Sequence, residues 1–215
     1  MPLHRPLRRT ALGATLCALL LGLAGCGSAP AARQAVYDFG PGPTQPQPSN
    51  RMAPLPPLQL ADVEASAALD GNALLYRLAY ADAQQLRPYA QARWAMPPAQ
   101  LLRQRLRELL GQRRSVLGAT DAVPAGTLVL RLELEEFSHW FEAPQKSAGL
   151  LRLRATLSRS GNPAKLLAQT SWVQQQPAAS NDAAGGVAAL AQATQALAGQ
   201  LDAWLQQAAA ADAAP

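Results

Sequence analysis

The sequence predicts an α+β fold, in which a central helix and a C-terminal helix pack on a mixed or antiparallel sheet. Several short segments alternate apolar and polar residues, as half-buried strands do. Two longer segments repeat leucine at helical spacing, one in the middle and one at the end of the chain. The order of strands, helix, meander and helix is typical of α+β proteins rather than of repeated βαβ units.

The composition favours one globular domain with appendages. The chain has 215 residues, of which 49% are hydrophobic and only 5% aromatic. This apolar fraction excludes general disorder, and the few aromatic residues leave the core to leucine, alanine and valine. We expect a single domain over residues 58–208, followed by a tail at 209–215.

The first half of this domain predicts strands. Leu58–Val63 alternates apolar and polar residues, and Leu74–Leu78 follows the turn signal Leu69–Asn72. Tyr89–Trp94 is short and rich in aromatic residues, and we expect it to be extended.

A helix should begin at Pro97-Pro98, because proline is tolerated in the first turn of a helix. Its leucines at 102, 106 and 109 share one face, with Leu110 at the edge, and Gly111 should end it.

Three later segments predict an antiparallel meander with one buried face. Thr127–Glu135 alternates leucine with charged residues and is the clearest strand, and 151–158 alternates in the same way. If these strands pair, Glu133 or Glu135 should face Arg152 or Arg154 on the solvent side. A third strand is expected at 167–174, and it contains Trp172.

The C-terminal helix should follow a flexible connection at Asn181–Gly186. Apolar residues recur there in steps of three and four, with glutamines and an aspartate on the opposite face. The members of the apolar face are Val187, Leu190, Thr194, Leu197, Leu201, Trp204 and Leu205. Because the other face is polar, the pattern excludes a membrane span. It indicates packing on the sheet, with docking against a partner as the alternative.

The first 26 residues predict a lipoprotein signal. Three arginines precede an uncharged run at 11–24, which is shorter than the roughly 20 residues of a membrane-spanning helix. Leu23-Ala24-Gly25-Cys26 then resembles the bacterial lipobox, in which cleavage precedes a cysteine that carries the acyl chains. We expect a signal peptide over 1–25 and lipidation at Cys26, with Gly27 favouring the outer membrane over retention at the inner membrane. Two or three acyl chains, at ~0.8 kcal/mol per buried methylene, would make a permanent anchor.

Processing would change the charge of the chain and the number of its thiols. Three of the 19 basic residues precede Cys26, which leaves 16 against 14 acidic residues and a net charge of +2 instead of +5. Cys17 is lost and Cys26 is acylated, so no thiol remains for a disulfide or for catalysis. A nucleic-acid partner is therefore not expected.

A lipidated tether over 26–35 should lead to a short strand within Val36–Gly40. Seven prolines then occupy the 17 positions of 41–57, which excludes helix and ladder-forming strand. This segment is either a spacer that reaches ~50 Å at ~3.1 Å per residue or, if Tyr37 and Phe39 dock on the domain, a surface loop.

Two features are candidate partner contacts. Arg103 and Arg107 lie together on one side of the central helix, within a cluster that also includes Arg105, Arg113 and Arg114. The alternatives are a solvated helix face or a contact for an acidic partner or anionic headgroups. His139-Trp140-Phe141 follows the clearest strand as an aromatic loop tip, where Trp140 and Phe141 either complete the core or contact a partner.

Catalytic and cofactor motifs are not recognisable in the sequence. Beyond residue 25 the chain has one histidine, His139, and no nucleophile-elbow motif accompanies it. One histidine without a free cysteine does not make a usual zinc site, so no metal is expected. Glu133, Glu135 and Glu136 form a carboxylate cluster, but a solvated strand face explains it better than a catalytic pair. No phosphate or dinucleotide motif occurs, and no cofactor is expected.

Several motifs follow one another in an order that resembles the ABC-type transport auxiliary lipoprotein family, the PqiC-like lipoproteins. They are the lipobox, Tyr37-x-Phe39, the strand at Leu58, the segment 69–77 with Asp70-Gly71-Asn72 and Leu75-Tyr76-Arg77, Tyr89 with Trp94, Pro98 and Leu102, the strand ending Glu136-Phe137, and Trp204-Leu205. The resemblance covers nearly the whole chain after Cys26.

The resemblance implies a non-catalytic role. Such lipoproteins accompany MCE-type ABC systems, which move lipids between the two membranes of Gram-negative bacteria. The family implies a location on the periplasmic face of the outer membrane, docking onto the periplasmic MCE protein and its ABC transporter, and self-association in some cases.

Two alternatives remain open at this point. One is a lipoprotein that regulates a cell-wall synthase or assists outer-membrane assembly, since these proteins also join a lipid tether to a small α+β domain. The other is a periplasmic hydrolase that uses His139 as its base.

Overall fold

The computed structural model describes residues 33–42 and 55–213. The chain separates into two units, Met1–Arg33 and Gln34–Pro215, and the fold reported below is that of the second unit. The expected signal peptide, the lipobox with Cys26, and residues 43–54 of the proline-rich segment lie outside the described residues.

The described residues form eight strands, three α-helices and a short 3-10 helix. In chain order they are β1 (Ala35–Tyr37), β2 (Leu58–Ala65), the 3-10 helix (Ala67–Leu69), β3 (Ala73–Leu78), α1 (Ala79–Asp82), β4 (Arg87–Trp94), α2 (Pro98–Leu110), β5 (Val116–Leu117), β6 (Leu128–Ala143), β7 (Lys146–Arg159), β8 (Lys165–Pro177) and α3 (Ala183–Ala213). The predicted α+β class is confirmed.

One mixed sheet is organised around the long strand β6. The first half of β6 pairs with β2 in parallel, and its second half pairs with β3, also in parallel, along the same edge. Its other edge pairs with β7 over the full length, and β8 follows β7, so that β6, β7 and β8 form the predicted antiparallel meander. On the far side, β4 pairs antiparallel with β3 and parallel with β1, and β5 lies beside β2.

The two long helices cover the inner face of this sheet. Helix α3 packs on β6, β7 and β8, helix α2 packs on β2, and the two helices contact each other. Leucine dominates the core between them, as in the fully buried Leu102, Leu130, Leu153 and Leu197. None of the helices in the described ranges combines the length and apolarity needed to cross a bilayer.

Strand β6 is longer than the sequence analysis predicted, because a β-bulge interrupts its alternation. The register with β7 shifts between Leu134 and Glu136, so two residues separate the inward-facing Leu134 and Phe137. Inward positions then resume at His139 and Phe141, which are 0% and 7% exposed. The prediction of a loop tip at His139-Trp140-Phe141 is therefore wrong.

Helix α3 begins earlier than predicted and ends later. Asp182 caps it, because its carboxylate accepts a hydrogen bond from the Gly185 N–H at 2.8 Å. Residues 183–186 are consequently helical, and the predicted flexible connection is wrong over them. At the other end the helix continues to Ala213, where Asp212 pairs with Arg159 at 2.5 Å and with Lys165 at 2.6 Å.

Candidate functional site

His139, the candidate base, lies in the core where α3 begins. Its imidazole is 0% exposed, and its Nδ1 is 2.9 Å from the hydroxyl of Tyr89. Gly186 of α3 sits directly on the ring, since a Cβ atom there would be 2.5 Å from Nδ1. Burial lowers the pKa of His139 from 6.5 to about 4, although the nearby Asp182 carboxylate acts in the opposite direction. The histidine is therefore neutral at ordinary pH.

The surroundings of His139 are those of a core residue. Its ring centroid is 4.3 Å from that of Phe141, and Tyr76 lies 4.8 Å from Tyr89 in the same aromatic cluster. Burial is the main cause that raises the pKa of Tyr89. Within residues 33–42 and 55–213, Nε2 has no hydrogen-bond partner, and no serine or cysteine pairs with the ring. A nucleophile–base pair is therefore not formed by the residues that the structure describes.

The glutamates of β6 form ion pairs on the outer face of the sheet. Arg154 lies 3.6 Å from Glu133 and 2.6 Å from Glu135, and Arg152 lies 3.3 Å from Glu135. This is the cross-strand pairing that the sequence predicts. Beyond the bulge, Glu136 pairs with Arg77 of β3 at 2.9 Å. Cationic neighbours thus occupy all three carboxylates, an arrangement unlike a general acid–base pair.

Metal-ligating side chains do not cluster in the described part of the chain, where no group of three His, Cys, Asp or Glu residues could hold an ion.

The arginine cluster of the central helix is mostly engaged within the domain. Arg103 pairs with Asp62 of β2, and Arg113 and Arg114 both pair with Asp202 of α3, at 2.9 and 2.5 Å. The side chain of Arg107 is exposed and forms no hydrogen bond or ion pair with any described residue. Of the two arginines predicted as partner contacts, Arg107 is therefore the one whose charge is not already paired.

Arg105 has a role that the sequence analysis missed. Its guanidinium donates hydrogen bonds to the backbone carbonyls of Phe39 at 2.5 Å and Gly40 at 3.2 Å, and it pairs with Glu108. It thereby holds the segment that follows β1 against helix α2, beside a cavity of about 130 Å³. Five arginines in 12 positions gave no signal of which one binds the backbone.

The N-terminal segment is docked on the domain. Strand β1 pairs with β4, and the ring of Phe39 lies 5.8 Å from Trp94 and 6.1 Å from Phe137. Residue 42 lies beside Arg105, and the N–H of Leu55 donates to the carbonyl of Arg113. Both described ends of the proline-rich segment therefore lie on the domain, as expected for the surface-loop alternative.

Trp140 and Phe141 lie on opposite faces of the sheet. Phe141 points into the core, whereas the half-buried Trp140 lies on the outer face, in register with Arg77. Arg103 and Arg107 belong to α2, which covers the inner face. The four candidate contacts therefore do not form one surface, and among them Trp140 and Arg107 present the most accessible unpaired groups.

Comparison with known proteins identifies related sequences. A family model described as "ABC-type transport auxiliary lipoprotein component" matches residues 37–202. No curated protein matches the chain.

Two solved structures share the fold. One is protein XCC0632 from Xanthomonas campestris, assigned to family DUF330, with a TM-score of 0.62 and 19% identity, covering 86% of this chain and 92% of its own. The other is described as an uncharacterized protein, with a TM-score of 0.59 and 15% identity, covering 80% of this chain and 99% of its own. At these identities the likeness concerns the fold alone.

Proposed function

Because the chain belongs to the ABC-type transport auxiliary lipoprotein component family, we propose that it is a non-catalytic lipoprotein subunit of an MCE-type ABC system that moves lipids between the inner and outer membranes. The observation that carries this proposal is the family match over residues 37–202, which spans the domain from β1 to most of α3. The buried and neutral His139 supports a role in binding rather than in hydrolysis.

Anchoring at Cys26 is the second part of the proposal. The lipobox Leu23-Ala24-Gly25 precedes this cysteine, and Gly27 rather than aspartate follows it, which favours the periplasmic face of the outer membrane. Since β1 is already paired in the sheet, only residues 27–34 separate the acylated cysteine from the domain. The proline-rich segment follows β1 and does not lengthen that tether.

Fractionation of the cell envelope tests the anchor. The wild-type chain should sediment with outer membranes, and Cys26→Ser should appear in the soluble periplasmic fraction. Ala29→Ser, a similarly small change three residues away, is the matched control and should stay in the membrane. Retention of Cys26→Ser in the membrane fraction would contradict acyl anchoring.

Partner binding is proposed to involve the periplasmic MCE protein. Trp140 is a half-buried aromatic residue on the outer face, and the exposed side chain of Arg107 has no described hydrogen-bond or ion-pair partner. Tryptophan and arginine are among the residue types that most often dominate protein interfaces.

Co-purification in mild detergent tests this partner. The acylated chain should retain the MCE protein encoded beside it, and Trp140→Ala or Arg107→Glu should reduce the yield. Tyr80→Ala and Arg131→Glu, which change an exposed aromatic residue and an exposed arginine elsewhere, are the controls. If the controls reduce binding as much as the two variants, these residues are not the contact. If the wild-type chain retains no MCE protein, the proposed partner is wrong.

A further inference from the structure

Strand β1 is the point at which the proposed lipid anchor joins the domain. Residues 27–34 separate Cys26 from β1, and at about 3.6 Å per residue they span roughly 29 Å when fully extended. A compact domain of this length has a radius of gyration of about 16 Å and is therefore about 40 Å across. Because the tether is shorter than the domain is wide, the surface around β1 stays close to the bilayer.

This surface lies at one edge of the sheet. Strands β1, β4, β3, β6, β7 and β8 follow one another across it, so that β8 forms the opposite edge. The tether thus enters the domain as far from β8 as the sheet allows.

The outer face of β1 and β4 presents an apolar residue beside a cation. Val36 is 52% exposed and lies in register with Arg93 of β4. The neighbours of Arg93 along the strand, Ala92 and Trp94, are buried, so alternation directs Arg93 to the outer face. Its exposed side chain forms no hydrogen bond or ion pair with any described residue. A valine beside a guanidinium suits a headgroup layer, where arginine binds phosphate and its stem remains in apolar surroundings.

The charges of the sheet are distributed unevenly. Every arginine of β7 pairs with a carboxylate, whereas β1 and β4 contain no acidic residue. The nearest carboxylate along the chain is that of Asp38, which accepts a hydrogen bond from the Gly40 N–H at 2.7 Å. Its negative charge weakens the attraction of Arg93 to anionic lipids. The surface is therefore a weak ligand for a membrane, and its use depends on the tether.

We infer that the outer face of β1 and β4, at Val36 and Arg93, rests on the lipid headgroups of the membrane that holds Cys26. This inference rests on the proposed acylation of Cys26. A short tether gives the surface a millimolar effective concentration at the bilayer, so a contact too weak to recruit the free domain is occupied in the anchored one. The opposite edge, at β8, is then directed away from the membrane.

Fluorescence quenching in vesicles tests this contact. Because Cys17 is removed and Cys26 acylated, an introduced cysteine is the only free thiol of the mature chain. Bimane is attached to Val36→Cys or Val173→Cys, and the acylated chain is inserted into vesicles of phosphatidylethanolamine and phosphatidylglycerol with spin-labelled headgroups. Val173 is 62% exposed on the outer face of β8, which makes it the matched control. Bimane at position 36 should be quenched and bimane at position 173 should not, because the spin label acts only at short range.

A charge variant tests the role of Arg93. One arginine at an anionic membrane surface contributes about 1 kcal/mol, so Arg93→Gln should lower the ratio of apposed to detached domains roughly fivefold. Arg131→Gln changes an exposed arginine of β6 that also lacks a described partner and should have no effect. Asp38→Asn should increase the quenching at position 36. In vesicles of phosphatidylcholine alone, the effect of Arg93→Gln should disappear.

Equal quenching at positions 36 and 173, or stronger quenching at 173, would overturn the inference. An effect of Arg93→Gln no larger than that of Arg131→Gln would also overturn it. Flotation of the vesicles separates this failure from a failure of the anchor. A chain that floats with the vesicles but keeps an unquenched label at position 36 contradicts only the contact, whereas a chain that does not float contradicts the acylation of Cys26 itself.

Discussion

Replacing Gly186 with alanine should destabilise the domain, although alanine is the better helix former. Gly186 lies in the first turns of α3, directly against the imidazole of His139. A Cβ atom there would be 2.5 Å from Nδ1 and 2.6 Å from Cγ of a ring that is 0% exposed. Because the ring is fixed to β6 and Gly186 to α3, neither the ring nor the helix can move without disturbing the core.

The magnitude follows from two opposing effects. Overpacking a well-filled core costs about 1–3 kcal/mol, whereas glycine to alanine within a helix gains about 1 kcal/mol. Gly199 of the same helix supplies the control, because its Cβ would meet nothing within 4 Å. Gly199→Ala should therefore raise the free energy of unfolding by up to ~1 kcal/mol, while Gly186→Ala should lower it by up to about 2 kcal/mol.

Urea unfolding of the purified chain, followed by circular dichroism, measures both changes. The double variant His139→Ala/Gly186→Ala should be less destabilised than the sum of the single variants, since removal of the ring relieves the clash. If Gly186→Ala proves as stable as Gly199→Ala, the close contact between α3 and β6 is wrong, and with it the course of β6 beyond the bulge.

Three further predictions concern other contacts. Burial lowers the pKa of His139 from 6.5 to about 4, so between these pH values the unfolded chain binds one more proton than the folded chain. The free energy of unfolding should therefore fall by up to about 3 kcal/mol as the pH drops through this window. In urea titrations at several pH values, His139→Gln should make this fall smaller. In the same assay, Asp202→Ala should lower the free energy of unfolding by about 3 kcal/mol, because it leaves the Arg114 side chain, which is 1% exposed, without its carboxylate partner. Arg113→Gln should lower it by less than ~1 kcal/mol, because the Arg113 side chain is half exposed. Phe39→Ala should accelerate proteolytic cleavage near β1, since the ring packs on Trp94; an unchanged cleavage rate would contradict the docking of this segment.

Periodicity predicted most of the fold because most elements follow a single regular pattern. The leucines at 128, 130, 132 and 134 are all inward and buried, and Glu133 faces Arg154 as alternation requires. Helix α2 begins at Pro98, and its buried Leu102 and Leu106 have helical spacing. Such patterns arise from one face of one element, so they are visible in sequence without knowledge of the partner.

The errors occur where the local pattern changes. The bulge at 134–136 shifts the alternation by one residue, so the second half of β6 looked like a loop. Gly185 and Gly186 looked like a flexible connection, whereas the backbone of Ser180 and the ring of His139 leave no room for side chains there. These glycines are required because α3 approaches Ser180 and the ring of His139 closely. That approach is a tertiary contact, which the sequence alone does not show.

The candidate contacts were predictable only in part. The sequence indicated Trp140 and the arginine cluster as candidates, because aromatic and cationic residues are conspicuous, and their role as contacts stays a prediction. It did not separate Arg107 from Arg105, which binds the backbone of Phe39, or from Arg114, which is buried against Asp202. Those differences depend on tertiary partners that are at least 66 residues away along the chain.

Direct binding between purified components tests the central claim most simply. The mature acylated chain in mild detergent should bind the purified periplasmic region of the MCE protein encoded beside it, and the binding should saturate. Trp140→Ala or Arg107→Glu should weaken this binding, whereas Tyr80→Ala should not. No saturable binding of the wild-type chain at any accessible concentration would contradict its role as an auxiliary subunit of that transport system.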